Sequence, residues 1–132
     1  MIYGIGTDLC EVARMERSLT RQAFVQRVFS EQEQQLLDSR KGAARTQTAA
    51  ANFAAKEAFL KACGTGLAGF ALAEVSALRN EYGAPYLSFT GKAAAFIEQN
   101  GLTAHLSLTH ESGLAAAFVI LESAAPCKNS DD

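Results

Sequence analysis

Residues 52–66 read NFAAKEAFLKACGTG, and the reading of this stretch decides the fold. Alanines 54, 55, 58 and 62, with Phe53, Phe59 and Leu60, make a strong helix former without β-branched residues. Gly64 supplies the C-terminal stop signal. At about 100° per residue, Phe59, Ala55 and Ala62 share one side of the helix. Glu57 and Lys61 lie opposite, with Ala54 beside them and Phe53 and Leu60 flanking Glu57. As a plain surface ion pair, Glu57 and Lys61 would be worth about 0.2–0.5 kcal/mol. A polar strip hemmed in by apolar and small residues also fits a reactive site, provided partners arrive from elsewhere in the chain.

Outward from this helix the pattern alternates between elements. MIYGIGTD reads as a short strand ending near Asp8, and residues 9–29 read as helical. Val12, Met15 and Leu19 share one face of that segment, and Arg14, Arg17 and Arg21 another. Thr20 is a candidate N-cap that splits it in two. Ser30 and Glu33 form a capping-box signature for a helix through Arg40, and residues 41–48 are a loop or the start of the long helix. Beyond the loop GTGLAGFAL, strands are expected at 74–79 and 86–90 around the turn NEYGAP, followed by a helix at 92–99. AHLSLTH alternates, with Leu106 and Leu108 on one face and His105, Ser107 and Thr109 on the other. A turn at residues 111–113 leads into LAAAFVILE, apolar enough to be covered on both faces, by helices or by another subunit. The order β-α-α-α-β-β-α-β-β predicts an α/β (α+β) single domain over residues 1–122, its sheet largely antiparallel, with a disordered tail at 123–132.

Composition narrows the function classes. With 132 residues the chain can bury a real core, and 48% hydrophobic against 20% charged residues is the balance of a soluble domain. The net charge of −2 argues against non-specific nucleic-acid binding. Neither a membrane-spanning run nor the basic start and apolar segment of a signal peptide is present, so a cytoplasmic protein is expected. Cys10, Cys63 and Cys127 have no metal-ligand spacing; Cys63 reads as a small buried hydrophobe, and no disulfide is expected in a reducing compartment. Against the acidic total, residues 14–29 carry Arg14, Arg17, Arg21 and Arg27 with Glu16 as the one acid.

Asp8 at the first strand's end, Glu57 and Lys61 on the helix, and His110 at a later strand's end stand out from apolar surroundings. Two carboxylates, an ammonium and an imidazole suit a magnesium–phosphate site, because magnesium takes one or two carboxylates and completes its octahedron with water and phosphate oxygens. Taken singly, Asp8 reads first as a helix cap and His110 as an ordinary turn residue.

MIYGIGTDL, NFAAKEAFLKACGTG and HLSLTHE, in this order and spacing, resemble the holo-acyl carrier protein synthases, the small bacterial type of 4′-phosphopantetheinyl transferase. The likeness runs from Met1 to about Glu122, and F-x-x-K-E-A-x-x-K-A-x-G-T-G is its specific motif. The resemblance implies the phosphopantetheinyl transferase fold, a homotrimer with sites at subunit interfaces, and transfer of the phosphopantetheine arm of coenzyme A to a serine of apo acyl carrier protein. It implies that Asp8 and Glu57 hold Mg²⁺, that Lys61 reaches the same phosphates, and that His110 contacts coenzyme A phosphate or organises water. Glu57, a metal-bound water and His110 are the candidates for taking the serine proton. Gly64, Thr65 and Pro85 become candidate coenzyme A contacts, and Arg14, Arg17, Arg21, Phe24 and Phe53 candidate contacts to the acidic carrier, with Met15 as a further apolar one. Asn52 departs from the family pattern, which has a basic residue there; Lys41 or Arg45 is expected to compensate. Glu111 stands where relatives carry a shorter acid or a threonine. Two competing readings are a degenerate relative that binds without transfer, and a metal-independent hydrolase using His110 and Glu111. Against the second, no G-x-S-x-G nucleophile motif is present.

Overall fold

Strand β1 (Ile2–Glu11) turns a nearly bare face inward. Gly6 is buried and Gly4, Asp8 and Cys10 are half-buried, whereas Ile5 and Leu9 on the opposite face stand exposed. The cause is helix α4 (Gly42–Cys63), which lies directly on that inner face. A Cβ on Gly4 would collide with the carbonyl oxygen of Ala62, and one on Gly6 with that of Ala58. Only glycine lets two backbones come so close. The computed structural model describes residues 1–64 and 69–124; Thr65, Cys127 and all but the first two residues of the expected tail lie outside the described residues.

Two antiparallel sheets flank α4. The larger has the order β1-β5-β4, with β4 (Leu102–Glu111) and β5 (Leu114–Ser123). Ser112 and Gly113, with φ of 54° and 80°, make the two-residue turn between them, the left-handed type that matches strand twist. Inward-facing Ala115, Ala117, Val119 and Leu121 are buried, while Leu114 and Phe118 on the other face of β5 are exposed. In the single chain, therefore, α4 covers one face of this apolar strand and the other face is open. The smaller sheet pairs β2 (Val75–Arg79) with β3 (Pro85–Phe89).

Helix α4 is 22 residues long, about 33 Å at 1.5 Å per residue. It serves two cores because its small alanines allow packing on several sides. Its first half receives Met15, Val25, Val28, Phe29 and Leu37 from α1 (Val12–Ser18), α2 (Gln22–Val28) and α3 (Glu31–Asp38). Its second half places Phe59 4.9 Å from Phe89, ring centre to ring centre, in a core shared with α5 (Gly91–Gln99) and both sheets.

A buried polar network joins these layers. The capping box forms as the sequence predicts: Glu33 N donates to Ser30 Oγ at 3.2 Å and Ser30 N to Glu33 Oε1 at 3.0 Å. The same carboxylate pairs with Lys56 and accepts from Asn52 Nδ2 at 3.0 Å and Ala77 N at 3.1 Å. Lys56 spends its remaining protons on the carbonyls of Leu72 and Val75, so its three donors have three acceptors in a site with no water access.

Several sequence expectations are corrected. β1 continues past Asp8 to Glu11, because Leu9, Cys10 and Glu11 still pair with Ala116, Ala115 and Leu114; the first helix starts only at Val12. Thr20 does not start α2. Its hydroxyl donates to Arg17 O at 2.7 Å and closes α1 instead, leaving Arg21 as an N-cap without a side-chain bond. Residues 42–48 belong to α4, α3 stops at Asp38, and Glu74 lies in a short 3-10 turn before β2.

Candidate functional site

Asp8 reaches the surface beside α4 because Gly4 and Gly6, which precede it on that face, bring strand and helix close together. With nothing between strand and helix, the side chain at position 8 meets the helix face that carries Glu57 and Lys61. Lys61 Nζ donates to Asp8 Oδ1 at 3.1 Å and to Thr7 O at 3.0 Å. The plain Glu57–Lys61 surface pair is thus not what forms: the lysine's ion-pair partner is Asp8, 53 residues away. The Lys61 side chain is 58% exposed and that of Asp8 20%. Such a pair contributes at most about 1 kcal/mol, so the ammonium is readily exchanged onto an incoming anion.

Glu57 stands between burial and charge. Its carboxyl is pushed up from the ordinary value, first by burial, then by the negative charge of Asp8, with Lys61 acting in the opposite direction. Two carboxylates that repel each other at a solvent-open helix–strand junction are a fit donor pair for a hard divalent cation with phosphate and water as its other ligands. Among the described residues no group of three or more His, Cys, Asp or Glu converges as a metal cage would require.

His110 and Pro85 fall elsewhere. They share a cavity of about 380 Å³ between α4 and the ends of β2, β3 and β4, together with Arg40, Thr48, Arg79 and Thr109. Asp8, Glu57, Lys61 and Gly64 are not on its wall. Gly64 ends α4 in the left-handed conformation, φ 77°, and is exposed. One chain therefore holds the sequence-predicted residues in two separate groups. Among the described residues the cavity wall carries two guanidinium groups and no carboxylate, and neither arginine stands out in the sequence. Arg40 merely ends a helical pattern and Arg79 merely precedes a turn, so no local signal marks them.

Neither Lys41 nor Arg45, the residues expected to compensate for Asn52, lies beside it. Asn52 is fully buried, and its Oδ1 accepts from Arg79 Nη2 at 2.9 Å. Arg45 lines a separate hollow with Asp38, and Lys41 is the exposed N-cap of α4; neither reaches the cavity wall. Glu111 is an exposed strand residue paired through its backbone with Leu114.

The arginine stripe becomes a cleft of about 420 Å³. Arg14, Arg21, Phe24 and Phe53 line it, as does Met15; Arg27 joins them and Arg17 does not. The guanidinium carbons of Arg21 and Arg27 sit 5.4 and 6.0 Å from the Phe24 ring centre, and Phe24 lies 6.3 Å from Phe53. Glu11 is the one acid among the described residues of the wall. Cys63 is buried and its thiol is pushed up to about 11 by that burial, so it is an inert core residue.

Known proteins share this sequence and architecture. A holo-[acyl-carrier-protein] synthase of Treponema denticola is 45% identical over 124 residues, covering 92% of this chain and 99% of the relative. One from Trichlorobacter lovleyi is 46% identical over 126 residues, covering 92% and 98%. Among solved structures, the holo-(acyl-carrier-protein) synthase of Bacillus anthracis in complex with CoA (3′,5′-ADP) superposes with a TM-score of 0.80 at 34% identity, over 94% of this chain and 99% of that one. The enzyme of Neisseria meningitidis gives 0.83 at 31% identity, over 93% and 100%. The profile of the 4′-phosphopantetheinyl transferase superfamily matches residues 4–119. Spanning nearly the whole fold just described, that match establishes that the chain belongs to the 4′-phosphopantetheinyl transferase superfamily.

Proposed function

We propose that the protein is a holo-acyl carrier protein synthase, moving the 4′-phosphopantetheine arm of coenzyme A to a serine of apo acyl carrier protein and so supporting fatty acid biosynthesis in the cytoplasm. The observation that carries this reading is the meeting of Asp8, Glu57 and Lys61 at one open junction. The serine oxygen forms a bond to phosphorus as the pyrophosphate P–O bond breaks; adenosine 3′,5′-bisphosphate leaves and the serine proton is released. Asp8 and Glu57 would hold Mg²⁺, which when bound neutralises pyrophosphate charge and orients the leaving phosphate. Lys61 exchanges its weak surface pair for a phosphate oxygen and stabilises charge that grows in the transition state. Glu57, a water on the metal and His110 are the groups placed to take the serine proton; His110, on the wall of the cationic cavity, suits contact with coenzyme A phosphate.

Two features support assembly as a homotrimer. The outer face of the larger sheet leaves Ile5, Leu9 and Phe118 54%, 64% and 44% exposed, an apolar patch of the kind that marks an interface. The cavity with His110 and Pro85 and the junction with Asp8, Glu57 and Lys61 are separate within one chain, so an interface that sets one subunit's cavity beside its neighbour's junction would complete the site. The arginine-lined cleft with Phe24 and Phe53 suits an acidic carrier protein.

Incubation with coenzyme A and apo carrier, with and without EDTA, tests the reading by intact mass. A gain of one phosphopantetheine that EDTA abolishes is expected. Coenzyme A binding without any mass gain would leave a binding protein instead.

A further inference from the structure

Asn52 cannot turn over. Its Nδ2 donates to Glu33 Oε2 at 3.0 Å and to Ala77 O at 2.9 Å, and neither acceptor could face an amide oxygen. Oδ1 is therefore fixed toward Arg79 Nη2, 2.9 Å away. Arg79 Nη1 donates to Leu78 O at 3.2 Å, which holds the guanidinium from a second side. Arg40 is fixed in a similar manner: its Nη1 donates to Thr48 Oγ1 at 2.6 Å, and that hydroxyl in turn donates to Ala44 O at 2.8 Å.

Both guanidiniums line the carboxylate-free cavity. Glu33, the acid whose charge acts on Arg79, is already paired with Lys56. Burial and the charge of Arg40 both weaken the hold of Arg79 on its proton. Two cations held close to each other, facing an empty wall of hydroxyls and an imidazole, are arranged for a compact anion of high charge, and the planar fork of arginine matches phosphate oxygens. A pyrophosphate diester already has its place at Asp8, Glu57 and Lys61.

We propose that Arg79, oriented by Asn52 and paired with Arg40, selects the donor nucleotide by gripping a phosphomonoester, which in coenzyme A is the 3′-phosphate. The proposal rests on the transferase reading above and makes Arg79 a specificity-determining residue and Asn52 its positioning residue.

Calorimetry on the full-length protein, with adenosine 3′,5′-bisphosphate and adenosine 5′-monophosphate as probes, decides it. The native protein should prefer the bisphosphate by about ten- to a hundredfold, the scale of charge-assisted hydrogen bonds. Arg79→Gln should bring that ratio to within about threefold of unity, with Arg79→Lys recovering part of it. Arg40→Gln, whose guanidinium bonds only Thr48 among the described residues, is the second variant should Arg79→Gln fail to fold, and it should lower the ratio too. In the transfer assay the kcat/KM ratio of coenzyme A over 3′-dephospho-coenzyme A should fall in the same proportion. A native ratio near one, or a ratio unchanged in both variants, overturns the proposal. Failure of transfer from either donor overturns the enzymatic reading alone, because the binding ratio still reports on Arg79.

Discussion

Glu33 in the first turn of α3 and Lys56 in the middle of α4 form an ion pair in which neither side chain reaches solvent. The lysine of the F-x-x-K-E motif is thereby a structural residue, while the glutamate beside it faces the open junction. Burial lowers the proton affinity of Lys56 and Glu33 raises it again. Removing one partner strands a charge: Lys56→Met or Glu33→Gln should each cost about 3–5 kcal/mol. The double variant should cost less than the two losses added. Urea unfolding at one fixed protein concentration measures this, and full additivity would mean that the pair is not coupled.

Glu57 makes stability depend on pH and on metal. Its folded pKa lies above the ordinary 4.5. The neutral form is thus favoured in the folded state: its contribution is fully present below pH 4.5 and is lost as pH rises through the folded value. At neutral pH without metal, Glu57→Gln should melt higher than the native protein, and the gap should close under acid. Added Mg²⁺ should raise the melting temperature of the native protein and leave that of Glu57→Gln nearly unmoved. Equal metal shifts in both would remove Glu57 from the metal site.

Asp8→Asn keeps the shape of the side chain and removes its charge. Loss of at least about a hundredfold in kcat is expected, with a far-UV spectrum like that of the native protein. Normal magnesium-dependent turnover by this variant would refute the metal assignment.

Charge reversal in the arginine cleft should act on the carrier alone. Arg14→Glu with Arg21→Glu should weaken carrier binding about tenfold or more at low salt and flatten its salt dependence. Coenzyme A affinity should stay the same. An unaltered carrier affinity in low-salt buffer would exclude this cleft as the docking surface.

Phe118→Glu places a charge on the open face of the larger sheet. Light scattering should show a shift from trimer to monomer, together with loss of transfer, since the two half-sites would no longer meet. A fully active monomer would show that one chain suffices.

Much of the architecture was legible because it rests on local signals. The alanine run with Gly64, the Ser30–Glu33 capping box and the alternation of residues 104–110 each declare themselves within a few residues. Asp8, Glu57 and Lys61 stood out as charges on otherwise apolar or small-residue segments. What stayed hidden depends on distant contacts. Lys56 and Glu33 look like surface charges until packing buries them, and Asn52 looks like a gap in a motif until Arg79 arrives from 27 residues away. The length of β1 is set by its pairing with β5, which its own sequence does not encode. Thr20 reads as the start of a helix, and only the chain's path turns its hydroxyl back to close the preceding one.

The strand in the middle of the larger sheet is the last of the described strands to be made. β5 alone joins β1 to β4, and Met1 and Ser123 exchange backbone hydrogen bonds, Ser123 N to Met1 O at 2.7 Å. During synthesis, then, Asp8 waits on an unpartnered ribbon with two glycines until more than a hundred further residues have emerged. Such sequence-distant closure is slow, and until β5 pairs with it β1 has only α4 to hold it. The support that β5 gives to β1, and with it to Asp8, therefore arrives late, only once residues 114–123 have been made.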